Sequence, residues 1–135
     1  MAAERPKVGV GVLIVDGNKI LLGKRKNAHG DGSWAPPGGH LEYGESWQNC
    51  AQREVLEETG LLLDDIQFCA VTNDIFAESN KHYVTIFMRA SYTGGVVTNR
   101  EPEKCEAWQW FVVDQLPANL FLPLAQLVDQ KVSLI

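Results

Sequence analysis

Between Glu42 and Gly60 the chain carries five glutamates, Glu42, Glu45, Glu54, Glu57 and Glu58, against one basic residue, Arg53, a net charge of −4. No other stretch restricts the fold as strongly, because the same segment is punctuated as a loop followed by a helix. Gly38, Gly39 and Gly44 precede it, Glu45 to Thr59 contains no Gly or Pro, and Gly60 supplies a stop. The pattern predicts a helix of about four turns over Glu45 to Thr59, with carboxylate and Ser residues in its first turn. At about 100° per residue, Glu54, Glu57 and Glu58 fall within an arc of about 100° that also holds Cys50 and Ala51, so the acids are expected to face the protein body.

A solvated acidic helix is the ordinary explanation of a charge run, but such a face is normally interleaved with Lys or Arg one turn away. Only Arg53 is available here. Crowded carboxylates repel unless a hard divalent cation lies among them, and Mg²⁺ suits oxygen ligands, retains waters and bridges phosphates. Gly38 and Gly39 have no Cβ, so their backbone can approach an ion or a phosphate closely. A Pro-Gly-Gly turn alone says little; joined to the acids at fixed spacing it completes a site.

The remaining pattern places this unit in a mixed sheet. Val8 to Val15 and Lys19 to Arg25 flank Asp16-Gly17-Asn18 and read as a hairpin. Asn27 to Gly44, with five glycines and two prolines, reads as loop. Ile66 to Thr72, His82 to Tyr92 and Ala107 to Val113 are rich in β-branched and aromatic residues and read as strands, and Leu120 to Val132 has apolar residues at helical spacing. Strands on both sides of a central helix predict an α/β fold with helices on the sheet. A length of 135 residues suits one domain, 1–135, and no repeat or linker interrupts it.

A net charge of −5, with Lys24-Arg25-Lys26 as the densest basic run, offers no field for a nucleic-acid polymer. Divalent cations would still let an acidic site bind a polyanionic small molecule. Cys50, Cys69 and Cys105 form no CxxC pair, and His29, His40 and His82 have no ligand spacing, which argues against zinc and a disulfide framework. No apolar run approaches the roughly 20 residues of a membrane span, so a cytoplasmic protein is expected. Trp34, Trp47, Trp108, Trp110 and Tyr83 are read as core or interface residues.

Gly39 to Leu61 matches every fixed position of a 23-residue pattern: Gly, five residues, Glu, seven residues, Arg-Glu, an aliphatic, any residue, Glu-Glu, any residue, Gly, an aliphatic. It resembles the Nudix box. LLGKRK (Leu21 to Lys26), GGHLEYGES (Gly38 to Ser46), HYVTI (His82 to Ile86) and EPEKCEAWQW (Glu101 to Trp110) extend the resemblance to the family's nucleoside triphosphate diphosphatases, a branch with a human thiopurine-nucleotide hydrolase. Departures lie at Ala35-Pro36-Pro37 and at Leu122, which stands for an aromatic.

The resemblance implies a Nudix fold, an α/β/α sandwich whose box forms a loop-helix-loop unit. It implies Mg²⁺, with Mn²⁺ as a substitute, held by Glu54, Glu57, Glu58 and the Gly38 carbonyl. Glu57 is also expected to activate water, Arg53 to orient the acids, Glu45 to support the helix entry, and Glu103 to act as a distal acid, with Glu101 and Glu106 nearby. Arg25, Gly38, Gly39, His40 and Phe121 are the expected substrate contacts. The implied reaction converts a nucleoside triphosphate to a monophosphate and pyrophosphate. Hydrolysis of another nucleoside diphosphate derivative, such as a nucleotide sugar or dinucleotide, and a catalytically silent nucleotide-binding regulator are the alternatives, and a homodimer is a further expectation.

Overall fold

A computed structural model describes residues 4–27 and 29–135. The run of β-branched residues near the N-terminus forms β1 (Lys7–Asp16), the strand from which the sheet is organised. It pairs in parallel with β6 (Lys81–Gly94) and antiparallel at its far end with β2 (Lys19–Arg25), while Gly9 to Gly11 take β4 (Gly38–His40) antiparallel on the other side. β5 (Leu62–Phe76) lies outside β6, and β3 (Trp34–Ala35) and β7 (Cys105–Val112) both pair with β2. A strand shared in this way is buried on both faces. Val10, Val12 and Ile14 enter a cluster with Cys50, Ala51 and Val55 of α1 (Trp47–Thr59), and Leu13 enters one with Leu124 and Leu127 of α2 (Leu122–Asp129). Period-two alternation along one strand thus supplies both cores. The expected α/β arrangement, a mixed sheet with helices against it, is what the chain adopts.

Several boundaries differ from the sequence expectation for local reasons. α1 starts at Trp47, because Ser46 is its N-cap and accepts from the Asn49 N–H at 3.1 Å; Gly60 ends it at φ 78°. Glu45 therefore lies outside the helix, and no carboxylate occupies the first turn. Gly38 to His40, expected as loop, are a short strand. β5 runs well past both ends of its expected span, and register shifts between Leu62 and Leu63, Asp64 and Gln67, and Phe68 and Ala70 break the alternation in its first part. α2 is shorter than expected at both ends, with Pro123 in its first turn, where a missing N–H is harmless, and Lys131 at φ 58° beyond it. Among the described residues no helix is long and apolar enough to cross a membrane, and all three cysteines are unpaired.

Candidate active site

The Gly38-Gly39 pair is pressed between β1 and α1. A Cβ on Gly38 would strike the Val10 carbonyl, and one on Gly39 would enter the Glu54 carboxylate, so only glycine lets the strand and the acids come this close. The Gly38 N–H donates to Glu58 Oε2 at 3.1 Å. In a strand the N–H and C=O of one residue point to the same side, so the Gly38 carbonyl also faces away from β1, toward the acids.

Arg53 holds the entry to the helix. Its Nε and Nη2 meet Glu45 Oε2 and Oε1 at 2.7 and 2.9 Å, its Nη1 lies 2.6 Å from Glu54 Oε1, and its Nη2 donates to the His40 carbonyl at 3.2 Å. The bidentate contact is possible because Glu45 is outside the helix and can reach back to Arg53. Hydrogen bonding to Arg53 holds the Glu45 carboxyl down at about 2. One guanidinium thus ties the loop, the short strand and the acidic helix face together.

Glu54, Glu57, Glu58 and Glu101 line a polar cavity of about 260 Å³ together with Lys104, Cys105 and Trp108. Burial raises the Glu58 carboxyl well above its ordinary range, with Glu54 and Glu101 adding to the shift and the Gly38 N–H opposing it. Burial also raises Glu54, against the pull of Arg53. Carboxyl groups pushed up together leave room for a cation that would draw their protons off. Among the described residues no preformed cage of three His, Cys, Asp or Glu side chains exists. The set fits a cation that keeps several waters and takes one or two carboxylates, as Mg²⁺ does, rather than one needing a complete protein shell.

Two expectations change here. Glu57 does not turn fully inward: its side chain is 52% exposed, against 15% for Glu54, and it stands at the cavity rim, 3.7 Å from Arg53. Glu101, not Glu103, is the acid brought to the cavity from outside the helix. The Glu101 carbonyl accepts from the Lys104 and Cys105 N–H groups in a tight turn, which leaves Glu103 exposed on the outer side, and Glu106 is spent on Lys24 at 3.6 Å. Three acids within six residues give no sequence signal of which one a turn aims inward.

A second, largely apolar cavity of about 130 Å³ adjoins the first; Arg25, Ala35, Pro36 and Gly38 line both. Phe76, Tyr83, His29 and Phe121 surround it, with His29 edge-on to Phe76 at 4.1 Å and to Phe121 at 5.6 Å. Tyr83, expected in the core or an interface, lines this cavity, its hydroxyl 3.1 Å from His40 Nε2. His40 and Phe121 also line it, Phe121 because it is the extended N-cap residue of α2. Arg25 sits over the Phe121 ring at 4.2 Å and donates to the His29 carbonyl at 2.7 Å, and burial lowers its pKa. Phe76 and His29 gave no signal in the sequence, since neither belongs to a motif.

Residues 5–131 match the NUDIX domain model. The chain is 33% identical over 107 residues to the oxidized purine nucleoside triphosphate hydrolase of Danio rerio, covering 78% of this chain and 66% of that one, just under two thirds of its length. It is 34% identical over 116 residues to the ADP-ribose pyrophosphatase of Methanocaldococcus jannaschii, covering 86% of this chain and 68% of the relative. Among solved structures, a MutT NUDIX hydrolase from Burkholderia pseudomallei superposes with a TM-score of 0.88 at 35% identity, over 94% of this chain and 98% of the other. With the glycine cradle, the arginine-tied glutamates and the aromatic cavity beside them, these matches show that the chain belongs to the Nudix family.

Proposed function

We propose that this Nudix family member, one domain over residues 1–135, cleaves a nucleoside triphosphate to a monophosphate and pyrophosphate with Mg²⁺ or Mn²⁺. The observation that carries this reading is the cleft itself: an acid half and an aromatic half meet at Arg25 and Gly38, so a flat base and a phosphate chain fit side by side. Glu54, Glu58 and the Gly38 carbonyl would hold the cation, with Glu57 and Glu101 within the same cavity. A bound cation supplies charge neutralisation on the diphosphate and acidity toward the attacking water.

The protein's own part is positional. Arg53 holds Glu54 in one orientation and anchors Glu45, Arg25 stands where the two halves join, and Phe121, Tyr83 and Phe76 offer rings to the base. The oxygen of water bonds to one of the two phosphorus atoms beside the α–β bridge, the bridging bond breaks, and the electron pair leaves on the bridging oxygen. A carboxylate takes the water's proton, with Glu57 at the rim placed for that exchange with solvent.

A homodimer and a cytoplasmic setting belong to the same reading. The outermost strand, β5, exposes Phe68, Val71 and Ile75, with Trp47 of α1 5.8 Å from the Phe68 ring, and sedimentation should return twice the chain mass. Pyrophosphate release from a panel of nucleoside triphosphates, nucleotide sugars and dinucleotides, with Mg²⁺ and with a chelator, tests the activity. Cation-dependent release from triphosphates is expected. Turnover confined to nucleotide sugars or dinucleotides would transfer the reading to those substrates, and binding without any turnover would favour a silent regulator.

A further inference from the structure

Asp74 is fully buried, in contact with Thr85 of the aromatic cavity's wall, and the hydrolytic chemistry makes no use of it. Three donors converge on its carboxylate. The Thr85 hydroxyl donates to Oδ2 at 2.5 Å and the Thr72 hydroxyl to the same oxygen at 3.1 Å, both from buried side chains. Gln126 of α2 donates to Oδ1 at 2.6 Å and to the Asn73 carbonyl at 2.9 Å. A buried carboxylate needs such partners, and a structural knot joining β5, β6 and α2 would be a sufficient account if Thr85 faced only protein.

Thr85 also lines the cavity. Gly9 lines the cavity beside it, and a Cβ there would come into contact with Thr85 Oγ1 at 3.9 Å, so that oxygen lies on the Gly9 side of the wall. A hydroxyl has one proton to give, and that of Thr85 is committed to Asp74, so the face turned to the cavity offers only lone pairs. His29, in the same wall, has a buried Nε2 without a hydrogen-bond partner among the described residues, so this cavity holds more than one polar atom that a ligand can satisfy.

We infer that Asp74 is a positioning residue that fixes the Thr85 hydroxyl as an acceptor, so that the cavity selects a base presenting an N–H donor at that edge. This rests on the nucleotide reading above. A site built around a fixed acceptor rejects an analogue whose matching atom is itself an acceptor, because the two lone pairs meet with no proton between them. The class of ligand is therefore a nucleotide whose base carries a donor where a close analogue carries an acceptor or nothing.

The test uses wild-type enzyme with Mg²⁺ on matched pairs of triphosphates. dGTP and 8-oxo-dGTP differ in N7 as acceptor or N–H donor, and ITP and GTP differ in the 2-amino donor. The wild type should prefer the donor-bearing member of at least one pair. Thr85→Val should lower kcat/KM for that member about tenfold, the scale of one hydrogen bond, through KM rather than kcat, and so collapse the preference over its partner. Thr85→Ser, which keeps the hydroxyl, should restore the preference. A wild type indifferent to every pair or preferring the acceptor, or a Thr85→Val enzyme with the wild-type ratio, would overturn the inference while leaving the nucleotide reading intact. Failure to hydrolyse any triphosphate would instead remove that reading and the inference with it. Because the wild-type ratio alone can refute it, the test does not depend on every variant folding.

Discussion

The two halves of the cleft are built on opposite plans. The acids and glycines of the acid half are almost contiguous: Gly38, Gly39, Glu45, Arg53, Glu54, Glu57 and Glu58 lie on one short strand, one loop and one helix, and Glu101 is the acid that joins them from elsewhere. The aromatic half takes His29 from a loop, His40 from the end of β4, Phe76 and Tyr83 from either side of the β5–β6 turn, and Phe121 from the entry to α2. The first is held by charge-assisted contacts to one guanidinium and by glycines that leave no slack. The second is held by ring packing. The contrast suggests a division of labour, in which chemistry depends on a rigid local unit and substrate choice on a surface assembled from distant segments.

The sharpest way to break that division is at Glu58. Glu58→Gln keeps the volume and an oxygen that can accept from the Gly38 N–H, but removes the charge at the most buried acid of the cavity. If the acid half carries the chemistry, kcat should fall about 10²–10³-fold, the scale of losing a preorganised electrostatic partner. The thermal transition should not fall, since a carboxyl raised by burial is relieved when replaced by an amide. Steady-state kinetics beside a melting curve decides the matter, and activity within tenfold of wild type would sink the assignment.

A smaller effect of a different kind is expected in the aromatic half. Phe121→Ala removes one ring of the cavity and the surface over which Arg25 is held. Loss of one stacking ring should weaken substrate binding by about 1–2 kcal/mol, seen as a rise in KM about tenfold or more with kcat changed less. A fall in kcat matching that of Glu58→Gln, with KM unaltered, would show that the halves do not divide the work.

The same difference explains what could be read from the sequence. The acid half was legible because a helix, a strand and the turn between them convert fixed spacing into fixed geometry; Glu54 and Glu58, one turn apart on α1, line one cavity with Gly38. Glu101 was hidden among Glu103 and Glu106, since hydrogen bonds within a four-residue turn decided which acid faced inward. Tyr83, Phe76 and His29 were hidden for a different reason. Their shared cavity exists because the β5–β6 turn sets Phe76 and Tyr83 side by side and the fold brings His29 and Phe121, about forty-five residues away on either side, against them, and contacts at that distance leave no local mark. The N-terminal part of β5 left a weak mark because its bulges erase the alternation by which strands are recognised.

The smallest expected effect concerns what holds the acid half together. Contact with Arg53 keeps the Glu45 carboxyl ionised down to about 2, against an ordinary value near 4.5, and Arg53 remains a cation throughout because its contacts with Glu45 and Glu54 raise its own pKa further. A carboxyl depressed in the folded state contributes stability that is complete above the unfolded value and is lost as pH falls through the folded one. The Glu45 contribution should therefore be whole at pH 5 and above, erode between about 4.5 and 2, and be absent below. Glu45→Gln should melt below wild type at neutral pH, and the two melting temperatures should converge on acidification across that window. Curves running parallel from pH 5 to pH 2 would mean that the Glu45–Arg53 contact orders the site without stabilising the fold, and the contrast between a charge-tied half and a packed half would then be one of geometry alone.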